Sequence, residues 1–195
     1  MVGLAAPLGT VAWTQLWNNY PSNCGTSSDF PCIRWPKTSN NLSVTVKIYL
    51  DYSLTLGNVD LRSDIRTFAI PQWNGAPARN PILAETSSYD NGLIWVFRGS
   101  LYDPTAWGQT VPSWNSSNRI TGANVRFNDL VSWNHTFVYA PYQADSRKVT
   151  DHELGHSEGM GHSSAVALMR QGALAHWALQ TDDRNGVIAI YGAYP

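Results

Sequence analysis

The residues with the most chemistry in them stand in one short run, His152-Glu153-Leu154-Gly155-His156-Ser157-Glu158-Gly159-Met160-Gly161-His162, which fits H-E-x-x-H-x-x-G-x-x-H at every fixed position. Histidines four apart on a helix project from one face about a turn apart, so two imidazole nitrogens can reach a single ion. The third ligand, His162, has to come from beyond the helix. Gly159 stands where the chain must turn sharply to bring it back, and glycine accepts the positive φ of such a turn. Three neutral imidazoles would leave one position of a zinc ion open for water, as catalytic zinc sites do.

Glu153 adjoins the first histidine, and its side chain is rotated by about 100° around the helix. That rotation places a carboxylate beside the metal rather than on it. Zinc lowers the pKa of a bound water toward about 7 and polarises a carbonyl. Glu153 is then the residue to take a proton from the water and pass it to a leaving amine. The chemistry implied is peptide-bond hydrolysis. Glu158 lies in the same run, and no role is fixed for it; a solvated helix face is expected.

These groups need a frame. Residues 147–158 read as one helix ending at Gly159. A last helix is expected with Thr181 as its cap and Asp182 and Asp183 in its first turn, where the helix dipole favours acids. Upstream, Leu42, Val44, Val46, Ile48 and Leu50 alternate with polar residues or Tyr49, the pattern of a half-buried strand. Asn58 is expected to cap a helix that sets Leu61, Ile65, Phe68 and Ala69 on one face, until Pro71 kinks or stops it before Trp73. Residues 93–97 are apolar on both faces, as a central strand would be, and residues 124–128 suggest a shorter strand. Between these two, the composition reads as loop. Residues 1–40 show no clear period and suggest an extended segment packed on the surface of the body.

The chain has 195 residues, 43% hydrophobic and 14% charged, with a formal net charge of −1. This size suits a single domain. The even charge balance lacks any basic run, which excludes a nucleic-acid footprint and an electrostatic membrane anchor. No stretch approaches the about 20 apolar residues that span a bilayer. The opening residues lack the form of a signal peptide, so a mature or trimmed form is expected. Cys24 and Cys32 are the only cysteines. They read as a small disulfide loop, with two free thiols as the alternative, and the compartment decides between them. The sequons at Asn41, Asn115 and Asn134 and the wealth of Trp and Tyr fit a secreted protein, and a monomer is the default.

The histidine motif resembles that of the metzincin peptidases, and within them the matrixins. Ser163 follows the third histidine, as in matrixins. Met169, in Ala167-Leu168-Met169, resembles the methionine of the Met-turn beneath the metal. Residues 182–192, Asp182-Asp183-Arg184-Asn185-Gly186-Val187-Ile188-Ala189-Ile190-Tyr191-Gly192, are similar to the D-D-x-x-G-I-x-x-L-Y-G pattern of the matrixin terminal helix. Arg34-Trp35-Pro36, residues 120–128 and Trp133 resemble smaller matrixins more loosely. The resemblance covers most of residues 34–192 and is specific from 149 onward.

It implies an α+β, zincin-like fold: a twisted, mostly parallel five-stranded sheet with two long helices and a small C-terminal lobe holding His162, the Met-turn and the last helix. Residues 1–195 would form one metallopeptidase domain, with an upper lobe to about 158 and a lower lobe over about 159–195. Its implied function is that of a zinc endopeptidase with one catalytic zinc on His152, His156 and His162. Gly159, Ser163 and Met169 would support the site. An extended protein or peptide substrate would lie along a sheet edge near Ala106, Trp107, Gly108, Gln109 and Thr110.

Departures from the family pattern are also present. The stretch from His162 to Met169 is one residue shorter than in vertebrate matrixins, and Arg170-Gln171 replaces Tyr-Pro, which leaves the pocket beyond the cut bond undefined. Only His135 and His176 remain for a second, structural zinc, which is expected to be absent. Calcium held by loop carbonyls is not readable from sequence. The propeptide cysteine switch is missing, with Cys24-Gly25 a faint echo of it. A zinc-keeping binding module without catalysis is the rival reading, and an intact Glu153 argues against it.

Overall fold

The structure, a computed structural model, describes residues 33–38, 43–101, 103–136, 143–163, 165–172 and 176–194. Cys24 and Cys32 lie outside the described residues, as does most of the N-terminal segment. Of that segment, residues 33–38 pack more deeply than a surface strap would, with Ile33 and Trp35 buried.

Strands β1 (Thr45–Leu50), β2 (Ile82–Thr86), β3 (Ile94–Gly99), β4 (Gly108–Trp114) and β5 (Ile120–Asn128) form one sheet in the order β2-β1-β3-β5-β4. All neighbours pair in parallel except β4, which runs antiparallel to β5 at the edge. The alternation read in β1 is real: Val46, Ile48 and Leu50 are buried, and they join Ile94, Val96, Val125 and Phe127 in the core. Two strands differ from the reading of the sequence. β2 was not expected, and β4 occupies a stretch whose composition reads as loop, although the family resemblance implies a sheet edge near residues 106–110. Each is an edge strand held by backbone pairing to a single neighbour, so each needs few apolar residues; in β2 only Leu83 is buried.

A continuous helix runs through α1 (Leu61–Asp64), a π-helical stretch (Ile65–Ala69) and α2 (Ile70–Asn74). Its cap is Asp60, whose side chain accepts from the Ser63 amide, and not Asn58, which donates instead to the Trp133 carbonyl at 2.5 Å. Pro71 does not stop the helix. The Ile70 amide donates to Ile65, five residues back, and this wider turn moves aside the carbonyl that a straight α-helix would press on the proline ring. Trp73 thus stays helical and fully buried, and its indole N–H donates to the Asp151 carbonyl at 2.9 Å.

Helix α3 (Ser146–Ser157) packs against this helix, β4 and β5. Asp145 caps it, accepting from the amides of Arg147 and Lys148 at 3.1 Å each. The last helix, α4 (Thr181–Tyr191), is capped by Gln180 rather than Thr181, and Asp183 closes a reciprocal capping box with it. Short strands β6 (Trp133–Asn134) and β7 (Ala144–Asp145) pair just before α3.

Candidate metal centre

Every residue of α3 except Arg147 is buried, so its polar groups face protein rather than water. The helix ends in a Schellman motif: the Gly159 amide donates to His156 and the Met160 amide to Gly155, both at 3.0 Å. Gly159 has φ +93°, and a Cβ there would stand 2.4 Å from the Ile33 carbonyl oxygen. Both the dihedral and the close approach require glycine. The turn sends the chain back over the helix end.

It brings His162 to the two helical histidines. The Nε2 atom of His156 lies 3.1 Å from that of His152 and 3.2 Å from that of His162. The Nδ1 atoms of His152 and His156 face the carbonyls of Leu168 (2.9 Å) and Met160 (2.7 Å). A carbonyl only accepts, so each Nδ1 carries the proton and each Nε2 presents a lone pair. Burial lowers the pKa of all three imidazoles, that of His156 to about 3, with His162 adding to the burial effect there. Lone pairs at such spacing repel unless a cation sits among them. A tetrahedral zinc with Zn–N bonds of about 2.0–2.1 Å sets ligand nitrogens about 3.3 Å apart, so the donor set fits that ion. Among the described residues these three side chains are the group whose ligand atoms converge for a metal, all within 4.8 Å of one another.

Glu153 points to the sheet. Its carboxylate accepts from the Thr110 hydroxyl of β4 at 2.7 Å, and the same hydroxyl lies 2.9 Å from the Glu153 carbonyl oxygen. Burial raises the carboxyl pKa to about 7 against the opposing pull of the Thr110 hydrogen bond. A Cβ on Gly108 would stand 2.7 Å from the Glu153 Cγ, so glycine lets the edge strand approach this closely. Of the residues expected along a substrate edge, Gly108, Gln109 and Thr110 lie in β4. Ala106 and Trp107 precede it in the turn, their carbonyls accepting from Asn128.

Residues 167–170 form a turn beneath the histidines. Asp183 holds it from α4, accepting from the amides of Leu168 (2.8 Å) and Met169 (3.0 Å). The Ser163 amide donates to the Met169 carbonyl at 3.0 Å, and the Ser163 hydroxyl pairs with Asp182. Met169 is fully buried, its sulfur so close to α3 that a Cβ on Gly155 would approach it to 2.4 Å. Leu168 thus offers its carbonyl to His152 from a fixed position.

Two residues stand otherwise than the sequence suggested. Glu158 is fully buried rather than solvated; it accepts from Asn80 at 2.9 Å, and burial raises its pKa to about 8. Lys148 was passed over, although it sits one turn before His152, a spacing that signals a shared face. It is only 5% exposed, and its ammonium donates to the Leu168 carbonyl at 3.4 Å. Burial lowers its pKa to about 8, with Asp183, Asp151 and Asp145 opposing that shift.

A narrow pocket adjoins the site. It is bounded by His152 and Glu153 and lined further by Trp107, Gly108, Lys148, Val149, Arg170 and Gly172, with a volume of ≈ 280 Å³ that includes its open mouth.

A convergent imidazole triad on a helix packed against a mainly parallel five-stranded sheet is a mixed α+β metal-binding arrangement. Residues 105–192 match the family model of the matrixins, which supports a matrixin-like metzincin catalytic domain. The match runs from the turn before β4 through α4. The matrixin family in general binds zinc and has zinc-dependent endopeptidase activity. No curated protein matches the chain. Among the described residues no helix is long and apolar enough to cross a membrane.

Proposed function

We propose that this chain is a zinc-dependent endopeptidase acting on extended protein or peptide substrates, with His152, His156 and His162 as the zinc ligands and Glu153 as general base and then general acid. The observation that carries the reading is the convergence of three imidazole Nε2 atoms at one point, with the buried Glu153 lining the same pocket as His152. Zinc at that position would supply a Lewis acid that polarises the substrate carbonyl and acidifies water.

The chain's own residues would do the rest. Glu153, with a carboxyl pKa raised toward neutrality, takes a proton from the attacking water and delivers it to the amide nitrogen as the carbon–nitrogen bond breaks. Thr110 orients that carboxylate. The outer edge of β4, unpaired among the described residues, would pair with the substrate backbone and lay it across the site. Gly159 returns His162 to the site, while Ser163 and Met169, the latter as the methionine of a Met-turn, would hold the floor under the histidines. The pair of cysteines and the sequons support action outside the cell.

Zinc content by mass spectrometry, together with cleavage of a quenched peptide library, tests this. The expected result is one zinc per chain, with cleavage abolished by a chelator and reduced about 10²–10⁴-fold in Glu153→Ala while zinc is retained. A zinc-loaded protein that cuts nothing would instead make this a binding module.

A further inference from the structure

We infer that the pocket beside the site selects an acidic side chain, aspartate or glutamate, on the residue that follows the cut bond, and that Lys148 and Arg170 are the residues that select it. This rests on the peptidase reading above and goes further by naming a substrate class.

The argument begins with an imbalance. Lys148 is buried and lines the pocket, yet it makes no ion pair among the described residues. A single 3.4 Å hydrogen bond to the Leu168 carbonyl serves an ammonium group that has three protons to donate. Asp145, Asp151 and Asp183 act on it only from beyond ion-pair distance. Burying an amine with so little compensation is costly unless something else completes its shell. The pocket is the place from which that group can come.

Arg170 supplies a second cation. It lines the same pocket, is half-buried, and forms no ion pair among the described residues. Its backbone is fixed by bonding to Ala167 and by a bridge to Ser163, so the guanidinium is carried on the turn that also positions His152. A carboxylate entering the pocket would meet an ammonium and a planar guanidinium, which can bind it through two parallel hydrogen bonds.

Shape agrees with charge. The pocket is a narrow slot that suits a short linear side chain better than an aromatic ring. Its position gives the residue: it lies against Glu153, the group that would protonate the leaving amine. The side chain that enters therefore belongs to the residue supplying that amine.

Paired peptides that differ only in Glu or Gln after the cut bond test the inference, since the two side chains are close in shape and differ in charge. The zinc-loaded enzyme is expected to cut the Glu peptide with kcat/KM about tenfold higher or more. Lys148→Met and Arg170→Gln should each reduce that ratio, and the double variant should bring it close to one. Binding of both peptides to zinc-loaded Glu153→Gln by calorimetry, with and without Arg170→Gln, reads the same preference without turnover. Arg170→Gln lies at the mouth and keeps the test open if Lys148→Met does not fold. Equal handling of the two peptides, or a preference that survives both substitutions, overturns the inference. If nothing is cut, the peptidase reading falls, and calorimetry alone then decides the pocket: tighter Glu binding that Arg170→Gln removes upholds it, and equal binding overturns it.

Discussion

The hydroxyl of Thr110, on the edge strand, donates to the carboxylate of Glu153 on the buried helix at 2.7 Å. Two elements of distant sequence thereby meet at the group proposed as the proton carrier. The bond favours the charged carboxylate and opposes the burial that raises its pKa to about 7. Thr110→Val keeps the shape and removes the donor. The carboxyl pKa must then rise further, and since the base works only when ionised, the acidic limb of the kcat/KM profile should move to higher pH. The direction holds with zinc in place, because the hydrogen bond is local. A profile measured on both forms decides it: a limb that stays put or moves down removes Thr110 from the machinery.

Asp183 connects α4 to the site through the turn. Its carboxylate accepts from the amides of Leu168, Met169 and Gln180, and Leu168 in turn offers its carbonyl to His152 Nδ1. Asn at this position has one acceptor oxygen and an N–H₂ that would face amide protons. Asp183→Asn should therefore cost about 2–4 kcal/mol of stability. Loss of the partner that orients a ligating histidine should weaken zinc binding on the order of 10–100-fold. Urea unfolding and competition with a zinc chelator measure the two effects separately. Unchanged zinc affinity in a destabilised variant would reduce Asp183 to a helix cap.

That outcome bears on what was legible beforehand. His152, His156, His162, Glu153 and Gly159 were readable because their chemistry depends on spacing along one short stretch, and α3 follows from the same spacing. Asp183 was readable only as an acid near a helix start, which is also what a surface cap looks like. Its grip on residues 168 and 169 arises from the folding back of the chain. For a different reason, β2 has no mark in the residue types, and the edge at β4 follows only from the family resemblance. An edge strand is specified by its partner's backbone, and β4 even carries Pro112, which edge strands tolerate and central strands do not. Pro71 misled because a proline normally breaks an α-helix, and the π-helical widening that admits it leaves no mark in the residue types. Lys148 does carry a signal in the sequence, since its spacing from His152 is a helical turn.

Glu158 shows how far burial can depart from residue type, and it yields a pH prediction. It follows Ser157, whose carbonyl accepts from the Trp35 indole, and lies beside Tyr191, whose hydroxyl donates to Glu158's own carbonyl at 2.6 Å. Its carboxyl pKa rises from 4.5 to about 8, burial being the main cause and the Asn80 hydrogen bond opposing it. The sign follows. Between pH 4.5 and about 8 the folded chain keeps a proton that the unfolded chain releases. Stability from this group is thus complete below the lower value and declines as pH rises, at up to about 1.4 kcal/mol per pH unit. Glu158→Gln keeps an acceptor for Asn80 and cannot ionise, so it should lack this decline. Unfolding free energies of both proteins, taken at several pH values across the window, should show the variant gaining on the parent as pH rises, by a total on the order of several kcal/mol. Groups remote from Glu158 act alike in both and cancel in the difference, while Asp151, whose pKa the Glu158 charge helps to raise, shifts it in the same direction. A difference that stays constant with pH would mean that Glu158 is ionised in the fold and that a cation or water reaches it.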